Sequence, residues 1–252
     1  MYPRDRQDVT SESGNAMTTV DLSRQSLKHL PEQAVREMPE AAALIAPNNY
    51  LTAFCLGPPA LPSLVIIDLS CNNLAEFPSL EGAPQCRQLY LGHNCIASLE
   101  SIPPLPCLRA LELQHNRLSC LPAFADSKAL ETLCLSCNLI ETIADGTSFG
   151  TLQQLGLFGN ALTNLDAVVA LVGRCAALQR VVLGANPCTP VALPGVPCAP
   201  CAPAHQWRRR VIDAGPNLRW LDGDYISSQE RQPPPAAAAL HISTRVMQQQ
   251  AA

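Results

Sequence analysis

The 252-residue chain is 47% hydrophobic but only 4% aromatic and 15% charged, a composition suited to an aliphatic core rather than to an aromatic cofactor pocket or a disordered polyelectrolyte. Its formal net charge of −4 provides no global field for nucleic acid or an anionic membrane. No apolar run reaches the ~18 residues that a spanning helix needs, and no membrane association is expected. Twelve cysteines that a polar start and the lack of an N-x-S/T acceptor accompany point to a reduced protein on the cytosolic side, and not to a secreted disulfide framework.

Residues 1–16 are polar and aperiodic, which predicts a flexible segment. From residue 17 a repeat sets in. Asparagine recurs at Asn72, Asn94, Asn116, Asn138 and Asn160, always 22 residues apart, the mark of one supersecondary unit stacked on itself. From Asn94 apolar residues follow at Ile96, Leu99, Ile102, Leu105, Leu108, Leu111 and Leu113 before Asn116, and the same offsets from Asn72 include Leu74, Phe77, Leu80 and Cys86. In LRALELQHNRL, Leu111 and Leu113 point to one face of a short strand and Glu112 to the other. The turn that follows buries backbone groups, and an asparagine amide satisfies them as donor and acceptor together.

The ends are irregular, as the ends of a solenoid must be to face water. Gln25 stands in the asparagine place of the first repeat, and Ala46 and Pro47 precede Asn49 in the second. Asn186 follows Asn160 by 26 residues, so DAVVALVGRCAAL predicts a longer, helical return. Eight repeats are counted in all. HQWRRRVIDAG then predicts a helix with Trp207 and Val211 inward, and Leu218 with Leu221 a last strand whose open edge the following polar segment covers. The tail, PPPAAAALHISTRVMQQQAA, is low in complexity and is expected to be disordered.

The paired leucines, the asparagine row and PNLRWLDGDYISSQER at 216–231 together resemble the leucine-rich repeat family, in its 22-residue class typified by a nuclear regulatory subunit of type-1 protein phosphatase, with a similar C-terminal cap. The resemblance implies an α/β solenoid: a curved parallel β-sheet on the concave face, short helical or irregular connections on the convex face, and about eight repeats plus a cap. The chain divides accordingly into a flexible segment 1–16, a repeat domain 17–231 with its cap over about 205–231, and a tail 232–252. The function implied is a non-catalytic scaffold or adaptor, monomeric in isolation and without a cofactor, that holds a protein partner on its concave face. Phosphatase regulation and ciliary or flagellar complexes are instances of it, and the resemblance thus implies a cytoplasmic, nuclear or flagellar location; a spliceosome-like ribonucleoprotein adaptor is the alternative, with direct nucleic-acid contact not expected.

Offsets from each asparagine name the residues of that face. Asp68, Tyr90, Glu112 and Cys134 lie between the paired leucines, while Ser70, Gly92, Gln114, Ser136 and Phe158 follow the second leucine. Gln88, Arg109, Thr132 and Gln154 add further sites, and His93 and His115 stand at the edge. The partner-binding set expected is therefore Asp68, Gln88, Tyr90, His93, Arg109, Glu112, Gln114, His115, Thr132, Gln154 and Phe158, with Tyr90 and Phe158 as anchors.

Four local signals compete with this scaffold. GTSFG at 146–150 matches the nucleophile elbow of hydrolases, but Phe149 holds a repeat offset, and a serine or thiol hydrolase acting through Ser148 or Cys137 is a minor alternative. Cys198 and Cys201, with His205 near, lack the second half of a zinc site. Cys71, His93, His115 and Cys137 form one row whose ends lie about 14 Å apart, too far for one ion to take all four. Two neighbours could share an ion with Cys134 or Glu112, yet an ordinary polar surface is the preferred reading, and no metal is assigned. Arg208, Arg209 and Arg210 suit phosphates, but Asp213, Asp222 and Asp224 dilute them.

Overall fold

The computed structural model describes residues 18–31, 37, 39–57, 61–99, 102, 105–121, 128–189 and 204–232, without the side chains of 204 and 205. The flexible segment expected over 1–16, the tail beyond 232 and the Cys198–Cys201 pair lie outside the described residues.

The paired-leucine segments become short strands. They are β1 (Thr19–Asp21), β2 (Ala43–Ile45), β3 (Ile66–Asp68), β4 (Gln88–Tyr90), β5 (Ala110–Glu112), β7 (Thr132–Cys134), β9 (Gln154–Gly156) and β10 (Arg180–Val182). A ninth strand, β11 (Trp220–Leu221), continues the same parallel sheet, and β12 (Asp224–Tyr225) closes it antiparallel. The register is strict: Leu89 lies beside Leu111, Leu111 beside Leu133, Leu133 beside Leu155. Strands follow one another in chain order, so each repeat packs only on its neighbours.

Alternation places the core. Ile67, Leu89, Leu111, Leu133, Leu155 and Val181 are at most 2% exposed, and the second leucines, Leu69, Leu91, Leu113, Leu135 and Leu157, are fully buried behind them. Each such side chain contributes about 1.5–3 kcal/mol on burial, which outweighs the weak propensity of three-residue strands. Cys86 fills a leucine place in this stack at 3% exposure, and burial pushes its thiol up to about 12, so it packs as a neutral apolar group.

Asparagine is the second element of order. Asn94 donates to the carbonyls of Leu91 and, one repeat back, Leu69, both at 3.0 Å, while its oxygen accepts from the N–H of Leu74. Asn116, Asn138 and Asn160 repeat this pattern one turn at a time. Gln25, by contrast, is exposed, and the buried ladder starts at Asn49.

The convex connections are mostly irregular. β6 (Cys120–Leu121) and β8 (Thr142–Ile143) pair there as a small parallel ribbon. The long return after Asn160 contains α1 (Leu165–Arg174), capped by Asn164, whose side chain accepts from the Ala167 N–H. It packs on α2 (Ala204–Ala214), where Val211 and Ile212 are buried and Trp207 is partly covered by the core. The chain then enters β11, with Leu218 buried at 1%, and ends in α3 (Ser228–Arg231), whose Ser227 and Glu230 form a reciprocal capping box. No described helix is long and apolar enough to cross a membrane.

Candidate protein-binding surface

Because the leucines of each strand point inward, the residues between them line the concave face. Asp68, Tyr90, Glu112 and Cys134 stand side by side on adjacent strands. The Tyr90 hydroxyl donates to Gln88 Oε1 at 3.0 Å, and Gln114 Nε2 donates to Glu112 Oε2 at 3.2 Å. The Gln114 amide lies on Gly92, where an added Cβ would come within 2.7 Å of Nε2 and would push the amide aside. Burial pushes the Glu112 carboxyl up; the bond from Gln114 opposes this, and the charge of Asp68 reinforces it. Tyr90 is raised by burial, then by Glu112 and Asp68, and Cys134 is raised chiefly by burial. The four residues form one electrically coupled, half-buried group.

Thr132 is half-buried and Gln154 exposed on the same face. Phe158 is 41% exposed and leans over Gly184, a Cβ on which would sit 3.4 Å from the ring. Arg109 does not belong to these rows. It precedes the asparagine by seven residues (116 − 109), where Gln88 precedes it by six (94 − 88). It therefore stands just before β5, exposed, and pairs with Glu131 at 3.4 Å. Such an exposed pair contributes ~1 kcal/mol or less.

His93 and His115 stack with ring centroids 4.2 Å apart and an interplanar angle of 16°. The sequence did not announce the backbone beneath them. Cys71, His93, His115 and Cys137 all adopt left-handed φ between 55° and 58°, as do Asn48 and Ala185. Identical backbones project their side chains in file, not toward a common point. Among the described residues no group of three or more His, Cys, Asp or Glu side chains gathers as metal ligands.

Three side chains of the concave face lie outside the expected set. Arg180 sits 5.6 Å above the Trp220 ring, and Trp220 meets Tyr225 edge-on at 5.3 Å. Trp220 is 37% and Tyr225 63% exposed. The offset rule missed them because the helical return and the cap break the 22-residue spacing. The local alternation of buried Val181 and Leu221 with their exposed neighbours carried the signal.

The remaining sequence motifs are placed as follows. Ser148 is exposed on a convex loop, between buried Thr147, whose hydroxyl donates to the Ala144 carbonyl, and buried Phe149; the next helix starts only at Leu165. That is not a strand-to-helix elbow. The three arginines of α2 have carboxylate partners: Arg208 pairs with Glu230 and Asp224, Arg209 with Asp213, and Arg210 with Asp166. The first two brace the cap internally, Arg210 ties it to α1 of the solenoid, and little uncompensated charge is left for phosphates.

Residues 62–118 match the family model described as leucine rich repeat. No curated protein matches the chain. The leucine-rich repeat domain of APL1B is 25% identical, with a TM-score of 0.52, over 63% of this chain and 45% of that one. The plant peptide hormone receptor RGFR1, solved in complex with RGF2, is 25% identical, with a TM-score of 0.51, over 67% of this chain and 28% of that one. Internalin C2 of Listeria monocytogenes is 19% identical, with a TM-score of 0.56, over 69% and 74%. This chain thus covers less than half of the APL1B domain and of the plant receptor. The repeat match, the asparagine ladder and the shared architecture agree: the chain folds as a leucine-rich repeat solenoid.

Proposed function

We propose that the chain is a non-catalytic protein-binding scaffold that holds its partner on the concave sheet. The observation that carries this reading is the face itself: a preformed parallel sheet whose exposed positions hold Tyr90, Phe158, Trp220 and Tyr225 among polar groups, with Arg180 already stacked. Aromatic and arginine side chains on a rigid support are the residues at which binding energy concentrates, and a rigid sheet loses little conformational entropy on association. The similar plant peptide hormone receptor RGFR1 was solved in complex with RGF2, which supports the reading by analogy.

The test compares partner recovery by the intact protein and by a Tyr90→Ala, Glu112→Ala, Phe158→Ala variant. A folded variant should lose the partner at least ~10-fold; a folded variant that keeps every partner overturns the concave-face assignment. The partner's identity then decides among phosphatase regulation, a ciliary or flagellar assembly and a ribonucleoprotein adaptor.

A further inference from the structure

The charges of the concave face are divided between its ends. Across the outward positions of the eight strands β1–β5, β7, β9 and β10, the acids Asp21, Asp68 and Glu112 lie on the first five, whereas Arg180 is the one base and lies on the last. Beyond it the cap adds Arg219, exposed just before β11, and half-buried Arg231 at the end of α3. The carboxylates of the cap are engaged elsewhere. Asp213 pairs with Arg209, Glu230 and Asp224 pair with Arg208, and Asp222 accepts the N–H groups of Leu183 and Gly184. Among the described residues the Arg219 guanidinium has neither a carboxylate nor a hydrogen-bond partner, and Arg231 gives its N–H groups only to the carbonyls of Gly215 and Leu218.

A second observation, independent of these charges, shows room for a ligand. A pocket of about 450 Å³ opens between the starts of β9, β10 and β11 and the end of α3, and Gln153, Gln179, Arg219, Tyr225 and Arg231 are among the residues that line it. That volume lies in the range of small-ligand sites. Tyr225 joins the pocket to the sheet, because the same ring meets Trp220 edge-on, and both rings are exposed. A cationic recess and an open aromatic pair therefore stand side by side at this end of the face.

We propose that this end of the sheet binds an acidic segment of the protein partner, with one carboxylate of the segment on Arg219 in the pocket and an apolar side chain beside it covering Trp220 and Tyr225. The proposal rests on the concave-face reading above and names the partner's chemistry at one end of it. A guanidinium fork meets a carboxylate through two parallel N–H donors. Of the three arginines only Arg219 holds its donors open, since Arg231 serves two carbonyls and Arg180 lies over a ring. One open fork matches one carboxylate, whereas a dianionic phosphate calls for more donors than remain. Arg231 adds its charge to the same pocket. The acids on the first five strands disfavour the same segment, so charge also sets the direction in which it lies along the face.

The test titrates the full chain with N-acetylated, C-amidated pentapeptides: Glu-Glu-Phe-Glu-Glu, Gln-Gln-Phe-Gln-Gln, and a form of the first with phosphoserine for every glutamate. The Trp220 indole N–H is followed by NMR, with Trp207, partly covered by the core, as the reference. Expected is a saturable shift of Trp220 with the glutamate peptide and about tenfold weaker binding of the glutamine peptide. Equal binding of the glutamine peptide, or no saturation with the glutamate peptide, overturns the proposal. Binding of the phosphoserine peptide more than tenfold tighter than the glutamate peptide overturns it too, by assigning the pocket to phosphate. Arg219→Gln should weaken the glutamate peptide about tenfold, with Arg219→Lys recovering only part because the charge returns without the fork. An unchanged affinity in folded Arg219→Gln is a further refutation, and if that variant fails to fold, the peptides on the parent protein still decide. If the native partner is lost by the Tyr90, Glu112, Phe158 triple variant but kept by folded Arg219→Gln, the cap site falls while the concave-face assignment stands.

Discussion

Between Asn72 and Asn160 every turn is closed by the same amide, which donates to two successive repeats and accepts from the earlier one. The ladder ends at Asn186, and beyond it Asp222 takes another role: its Oδ1 accepts the N–H of Leu183 at 2.6 Å and of Gly184 at 2.9 Å, where in the regular repeats a backbone carbonyl of the next strand, such as that of Glu112, accepts the N–H of the leucine. The contrast shows what asparagine is for. An amide with both donor and acceptor is demanded inside a turn that buries carbonyls and an N–H together; the edge of β10, which offers only N–H groups, is served by a carboxylate. At the opposite end Gln25 is exposed, and the first turn relies on Asn49 from the next repeat, which accepts from the N–H of Gln25 and of Leu27.

Five substitutions break or sharpen this contrast. Asn116→Ala strands the carbonyls of Leu91 and Leu113 and the N–H of Ile96 in the core, and should cost about 3 kcal/mol or more in urea denaturation; Gln25→Ala should leave the midpoint almost unchanged. Asp222→Ala opens two N–H groups and should cost ~2 kcal/mol, with Asp222→Asn recovering most of it because the acceptor survives. A loss from Asp222→Asn equal to that from Asp222→Ala would show that charge, not the hydrogen bonds, matters at the cap. Ala185→Gly should stabilise by up to ~1 kcal/mol, since exposed Ala185 sits at φ 57° and gains little from its methyl group.

The smallest effect belongs to Glu112→Gln. The Glu112 carboxyl is raised in the fold, so the folded state holds its proton more firmly than the unfolded chain does. Its stabilising contribution is fully present below the unfolded carboxylate pKa of ~4.3 and is lost as pH rises through the higher folded value. Glu112→Gln should therefore show a slightly higher Tm than the parent at pH 7, with the gap closing toward pH 4. A lower Tm at pH 7 would mean that the bond from Gln114 outweighs the cost of burying the carboxylate.

The solenoid was legible because its cause is periodic. Once Leu111, Leu113 and Asn116 had roles, the same offsets placed Tyr90, Glu112 and Phe158 on one face, and the structure agrees. The cap was legible too, since α2 carries Val211 inward and β11 follows Leu218. What stayed hidden depends on geometry rather than on period. Arg109 was assigned to the face by an offset one residue too long. Arg180, Trp220 and Tyr225 come together only through the β10–β11–β12 register, in which two strands separated by a helix pair side by side. The unpaired oxygen of Gln114 depends on how one amide rests on Gly92.

The left-handed row has a consequence for how such a molecule can grow. Cys71, His93, His115 and Cys137 stand on the same left-handed backbone, one per repeat, so each is one letter in a line whose spacing is set by the sheet. Inserting one more 22-residue unit between Asn116 and Asn138 would lengthen the line by a single letter, about 4.8 Å, and leave the His93–His115 stack in place. The distance between two recognition groups thus becomes a quantity that the chain can change in whole steps, by duplication, while the amide ladder seals the joint.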